Sequence, residues 1–439
     1  MAAALLAGCS TASHSAPPGT SVVPFVGGAS SPLTLSGAGK IKHVVIIVQE
    51  NRSFDNLFQG YPGADTVASG KNSSGQTITL TPVSLAKQYV IDHSMTAMIA
   101  ACDGTGKLPG TKCRMNGFDQ EGAFGGPSNP QYVYVPHTES KPYFDMAREG
   151  VLADRMFQSH LDESFVSHQY IIAAQAQSSV DLPYGYWGCD GSASDTVATV
   201  TKQRGYGPPQ RACFDYQTLG DELDRAKLKW RFYSSNIQDG TDYVWSGYQA
   251  VKHIRFGQDW KADVITPQSQ FITDVGAGKL ASVTWITPIC ANSDHVNCGG
   301  GFGPSWVSSL VNAVGKSPFW KSTAIFVMWD DWGGLYDHVP PPHLDDDGLG
   351  FRVPLVIMSA YSKQNFVSHV RYEHGSILKF AEDVFGLGRL AASDTRANSP
   401  ALDCFDFTKP PHAFVPIQAP KDARFFFHQH DDHRPPDYE

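Results

Sequence analysis

Four short, uninterrupted apolar runs constrain this chain more than any other feature: residues 42–48 (KHVVIIV), 281–287 (ASVTWIT), 323–329 (TAIFVMW) and 353–358 (VPLVIM). Runs of this length, rich in Val and Ile and lacking polar alternation, are the signature of strands buried on both faces of a parallel sheet. Around them lie amphipathic stretches. Trp306, Val307, Leu310, Val311 and Val314 recur at helical spacing, as do Ile377, Phe380, Ala381 and Val384. Buried strands alternating with such helices predict an α/β fold, a mostly parallel central sheet flanked by helices.

Residues 60–140 and 178–275 lack this alternation and are rich in Gly, Ser and Tyr. They are expected to be loop-rich insertions that form pocket walls above the sheet. The chain thus divides into a leader and tether (1–38), one large domain (39–404) and a Pro- and aromatic-rich tail (405–439) expected to wrap the surface, its His428, His430 and His433 solvated. A hydrophobic content of 41% against 18% charged residues supplies a sizeable core. With 34 basic and 43 acidic side chains the net charge is −9, the wrong sign for a nucleic-acid binder. No apolar run reaches the roughly 18–20 residues that span a bilayer.

Leu6-Ala7-Gly8-Cys9 resembles the bacterial lipoprotein processing box, in which Cys9 would carry a lipid anchor and residues 10–38 would form a tether. An exported protein is expected: periplasmic, attached to the cell envelope, or secreted. The cysteines agree. Six fall into short-range pairs, 102/113, 189/213 and 290/298, which in an oxidising compartment would staple the insertions, while Cys404 is left over.

In an open parallel sheet, ligands bind beyond the carboxyl ends of the strands. Glu50 and Asn51 follow the first run, and Asp330 and Asp331 follow the third. Together they are hard oxygen donors of the kind that suits Ca²⁺, Mg²⁺ or Mn²⁺. Ser164 stands at the start of a helical pattern, where free N–H groups and the helix dipole favour an alkoxide or a bound phosphate, and His168, four residues on, shares its face. His93, His295, His338 beside Asp337, and His374 are candidates for a phosphate clamp and a proton donor.

Several of these segments, taken in order, resemble one family. They are Gln49-Glu50-Asn51-Arg52-Ser53-Phe54-Asp55, Gly117-Phe118, Trp329-Asp330-Asp331 with Gly333-Gly334, Tyr336-Asp337-His338, Gly350-Phe351-Arg352 and Glu373-His374. The chain is similar over residues 41–390 to the bacterial phosphoesterases, which unite non-specific phospholipases C with acid phosphatase A enzymes on an alkaline-phosphatase-like core. The resemblance implies one divalent metal held by Glu50, Asn51, Asp330, Asp331 and Ser164, with Ser164 the nucleophile. His93, His295 and His338 would then clamp or protonate the phosphoryl group, with His168, Asp337 and His374 in substrate contact. Phospholipase members usually carry Thr as nucleophile and Asp-Glu in place of Asp330-Asp331, so the match is closer to the acid phosphatase arm. One departure is Asp162-Glu163 directly before Ser164, where the family favours small residues. Two acids there would repel a phosphate dianion unless turned away or paired.

The implied partners are small phosphate esters or, alternatively, phospholipid head groups cleaved as diesters. For the latter, Tyr184, Tyr186, Trp187, Tyr243, Trp245 and Tyr248 are candidates for an aromatic cage. A surface lipoprotein that binds phosphorylated ligands or metal without turnover is the reading from a different class.

Overall fold

β-Branched side chains leave no polar face on the first apolar run, and it becomes the heart of the sheet. The computed structural model describes residues 38–235 and 245–430. Cys9, the tether, Tyr243 and His433 lie outside them. The central sheet has eight strands: β1 (His43–Gln49), β2 (Val151–Ala153), β3 (Trp230–Tyr233), β4 (Val264–Ile265), β5 (Val283–Ile286), β6 (Thr323–Trp329), β7 (Leu355–Ser359) and β8 (Phe366–Ser368). Their order is β4-β3-β5-β1-β6-β7-β2-β8. All neighbours are parallel except β7, which runs antiparallel to both β6 and β2.

Five helices matter for the site: α1 (Phe54–Phe58), α2 (His137–Glu149), α3 (Ser164–Ala173), α4 (Gly303–Gly315) and α5 (His374–Phe385). Ring contacts fix their sides. Phe380 of α5 packs on Phe326 and Tyr143 of α2 packs on Trp329. Phe326 and Trp329 are three apart on β6 and so point to opposite faces. Trp285 of β5 lies in register with Ile46, as does Phe326, and donates through Nε1 to the carbonyl of Ile171 in α3 at 3.0 Å. Helices α3 and α5 therefore cover one face, and α2, with α4 packed against it, covers the other. The four expected strands and both expected helices are present, as is the mostly parallel sheet.

Two expectations need correction. The stretch 178–275 is not all insertion, because β3 and β4 within it form one edge of the main sheet. These strands have only four and two residues. Pairing of β3 with β5, and of β4 with β3, makes them strands, since Lys229 and Arg231 interrupt any apolar run. The tail does more than wrap the surface. Phe405, Phe407, Ile417 and Phe426 are buried in the core, and Asn312 of α4 donates to the carbonyl of Ile417 at 2.8 Å.

All three expected disulfides are formed, and Cys404 is buried and unpaired among the described residues. Cys189–Cys213 closes the largest of these loops, which holds Thr196–Val200 and Tyr206–Arg211, two strands of an antiparallel sheet completed by Ser179–Tyr184. Replacing both of these cysteines by Ala should lower stability by about 2–4 kcal/mol through the freed unfolded chain, measured by urea unfolding.

The loop after β5 is tied to the end of β1. Gln49 donates through Nε2 to the carbonyl of Asn292 and accepts the N–H of Asp294, both at 2.9 Å. Asp294 is buried, and its Oδ2 accepts Tyr143 Oη–H at 2.7 Å and Trp329 Nε1–H at 3.1 Å. Burial outweighs Arg52 and these donors and pushes its carboxyl up to about 6. A folded-state pKa raised in this way adds stability that is complete below about pH 4 and lost as pH rises through about 6. Urea titrations should show that decline, about 2–3 kcal/mol, in the wild type, and show it removed in Asp294→Asn.

Candidate active site and metal-binding residues

Parallel pairing of β1 with β6 sets Gln49 opposite Trp329, so the next residues of both strands leave the sheet side by side. The Asn51 N–H donates to Asp330 Oδ1 at 2.9 Å, and the Asp330 N–H donates to the carbonyl of Gln49 at 3.0 Å. This crossing forces Asn51 into the left-handed region, with φ 57°. Gly333 also has positive φ, and its N–H donates to Asp331 Oδ1 at 2.8 Å. A Cβ there would sit 2.4 Å from the Asn51 carbonyl oxygen, so the close approach of the two strand ends requires glycine.

Helix α3 delivers Ser164 to this junction as its first residue, and Ser167 Oγ fixes the helix by donating to the carbonyl of Asp330 at 2.8 Å. Ser164 Oγ donates to Asp331 Oδ2 at 3.1 Å and lies 3.2 Å from Asn51 Nδ2. The same amide nitrogen is 3.0 Å from Asp331 Oδ2 and 2.9 Å from His93 Nε2. Since His93 Nδ1 stands 3.0 Å from the carbonyl of Ile91 and donates to it, its Nε2 is the lone-pair side and faces the site. His295 lies beside it, with ring centroids 6.0 Å apart.

One turn along α3, His168 Nε2 stands 3.1 Å from Glu50 Oε1 and 3.7 Å from Asp330 Oδ2. Glu50, His168 and Asp330 form a group whose donor atoms converge, and all three are buried, as is Asp331. Asp330 Oδ2 accepts no hydrogen bond. Three carboxylates withdrawn from water around so few donors need a cation. The residues present thus fit a divalent metal.

His374 and His160 lie behind this group. His374 heads α5, and the Ser159 N–H points at its Nδ1 at 3.5 Å. Burial lowers its pKa to about 4 despite the charge of Asp330, leaving a neutral imidazole. His160, which sequence reasoning passed over, stacks on Tyr170 and adjoins His374. Its only sequence signal was its place two residues before Asp162. That aspartate is turned away from the site: its Oδ2 accepts the Asp181 N–H at 2.5 Å and its Oδ1 lies 3.2 Å from His160 Nδ1. Burial first, then Asp181, raises the Asp162 carboxyl well above the ordinary range. Glu163 caps α3 and borders a cavity of about 530 Å³ with Asp92, Ser94, Phe124 and Asp181.

Asp337 and His338 stand in a second group. His338 lies 2.6 Å from Asp55 and 3.1 Å from Asp65, and Arg352 donates through Nε to Asp337 at 2.9 Å. Burial pulls His338 down, but the Asp55 hydrogen bond and charge outweigh it and raise the imidazole pKa. Arg352 was singled out only as part of a motif, and Asp55 likewise. Of the aromatics considered for a cage, Tyr184 and Tyr186 are exposed, whereas Trp187, Trp245 and Tyr248 are buried.

Known proteins are similar to this chain in sequence. The family model described as the Phosphoesterase family covers residues 41–388. A non-hemolytic phospholipase C of Burkholderia pseudomallei is 25% identical over 411 residues, 79% of this chain and 55% of that protein. The chain thus spans about half the length of that relative. Non-specific phospholipase C6 of Arabidopsis thaliana is 26% identical, covering 79% of this chain and 68% of that protein. Phospholipase C A of Mycobacterium tuberculosis is 22% identical, covering 86% and 79%. Among solved structures, a Vibrio parahaemolyticus protein in the alkaline phosphatase superfamily aligns at TM-score 0.38 and 9% identity, over 85% of this chain and 71% of that one. Since the family model spans most of its length, the chain belongs to the Phosphoesterase family.

Proposed function

We propose that this protein hydrolyses phosphate monoesters with Ser164 as nucleophile, at a divalent metal held by Glu50, Asn51, Asp330 and Asp331 together with the Ser164 hydroxyl. The observation that carries this reading is the position of Ser164 Oγ at a helix N-terminus, within hydrogen-bond reach of both Asn51 and Asp331. A free serine is a weak nucleophile near neutral pH. The metal, when bound, lowers the cost of the alkoxide and offsets charge on the phosphoryl oxygens. Ser164 Oγ attacks phosphorus, the ester oxygen departs with its electron pair and takes a proton, and water then cleaves the phosphoserine to release phosphate. The Ser164 proton passes to Asp331 Oδ2, its hydrogen-bond acceptor. His93 accepts from the Asn51 amide and so orients it, and its neighbour His295 lines the side on which phosphoryl oxygens accumulate charge. His338 is held by Asp55 and Asp65 in the second group, so the leaving oxygen takes its proton from water.

Cleavage of phospholipid diesters is the second reading. It is supported by the phospholipase C names of the relatives and by the exposed rings of Tyr184, Tyr186 and Phe124. Turnover of p-nitrophenyl phosphate against p-nitrophenyl phosphorylcholine separates the two. A monoester preference supports the first, and a diester preference replaces it with the second. Ser164→Ala should lower kcat by about 10³-fold or more with an unchanged far-ultraviolet dichroism spectrum. Near-normal turnover would reject the nucleophile. Dialysis against a chelator should abolish turnover and lower Tm, both restored by adding a divalent ion, because removal leaves the buried carboxylates uncompensated.

A further inference from the structure

We infer that His168 is a metal ligand, and that its imidazole makes this a mixed nitrogen–oxygen centre selective for transition metals of the Mn²⁺ to Zn²⁺ series over Ca²⁺ and Mg²⁺. This deepens the proposed function and rests on its metal.

The oxygen donors at the strand ends would, alone, suit a hard alkaline-earth ion. Helix α3 changes the set. Residues four apart share a helical face, so the face that presents Ser164 to Asn51 and Asp331 also presents His168 to Glu50 and Asp330. Its Nε2 is 3.1 Å from Glu50 Oε1 and 3.7 Å from Asp330 Oδ2. Donors each about 2.1 Å from one ion are separated by about 3.0 Å at right angles and about 3.4 Å at tetrahedral angles. The 3.1 Å spacing lies within that range and the 3.7 Å spacing a little beyond it. An independent observation points the same way: Asp330 is fully buried, its Oδ1 is taken by the Asn51 N–H, and its Oδ2, aimed at this group, accepts no hydrogen bond. A buried carboxylate oxygen left over in this way is what a metal-ligating oxygen looks like without its ion. Nitrogen donation favours metals later in the first transition row, whose affinity for imidazole exceeds that of Mg²⁺ or Ca²⁺.

The competing account is an imidazolium that merely salt-bridges the two carboxylates. Pulsed electron paramagnetic resonance of the Mn²⁺-loaded wild-type protein separates them without any substitution, because a coordinated imidazole imprints ¹⁴N modulation on the manganese signal. Calorimetric titration of chelator-treated protein with MnCl₂, ZnCl₂, MgCl₂ and CaCl₂ supplies a second readout. The inference expects ¹⁴N modulation, tighter binding of Mn²⁺ and Zn²⁺ than of Mg²⁺ and Ca²⁺, and a loss of at least ~10-fold in Mn²⁺ and Zn²⁺ affinity in His168→Asn with Mg²⁺ affinity little changed. The modulation should persist in Ser164→Ala. Metal binding without modulation, or with the same preference in His168→Asn, overturns this inference and leaves the metal-dependent reading intact. A folded wild-type protein that takes up none of the four ions overturns both.

Discussion

The buried negative charge at the ends of β1 and β6 is the constraint on which the rest of the structure depends. Glu50, Asp330 and Asp331 are all withdrawn from water, on adjacent parallel strands that bring them together. Such a concentration of charge persists only where hydrogen-bond donors and a cation meet it. Neighbouring features meet part of that need. The left-handed Asn51 turns its own N–H onto Asp330, Gly333 lets a second N–H reach Asp331, and α3 begins with a serine whose hydroxyl completes the ring.

That arrangement links folding to chemistry. The sheet is an ordinary parallel core, with helices on both faces and its centre filled by β1, β5 and β6. Its carboxyl edge carries Glu50, Asn51, Asp330 and Asp331, and α3 brings Ser164 and His168 to them. The acids beside Ser164, which would oppose an incoming phosphate dianion, are handled separately. Asp162 is buried and its Oδ2 accepts the Asp181 N–H, while Glu163 borders a cavity with Asp92, Ser94 and Asp181. The second polar group, around Arg352, Asp55, Asp337 and His338, is neutralised from within by its guanidinium and imidazole. It braces the loop that follows Gly333 and Gly334.

Much of this was legible in the chain. The four apolar runs marked the centre of the sheet because strands covered on both faces cannot carry polar alternation. The residues after two of those runs marked the site because such strands end at a common edge. The short-range cysteine pairs were readable because local loops bring their ends together whatever the global fold. Edge strands β3 and β4 were not readable, since a two- or four-residue strand takes its identity from the neighbour it pairs with. Nor was the direction of β7, because a buried run reads the same in either sense. His160 escaped notice because its environment is assembled from α3 and α5, which are distant in sequence.

The sequence by itself therefore determined the fold class, the strand ends that carry Glu50, Asn51, Asp330 and Asp331, and the helix start that carries Ser164. Each of these follows from local periodicity and from position relative to an apolar run. Only the tertiary structure decided how the donors divide: His168 beside Glu50 and Asp330, His93 beside Asn51, and Asp337 with His338 drawn off to Arg352. Among these partners, His93 and Asn51 are 42 positions apart, and His168 and Glu50 are 118 apart. Burial and Coulomb energy in the assembled core, to which no local pattern is sensitive, select among them.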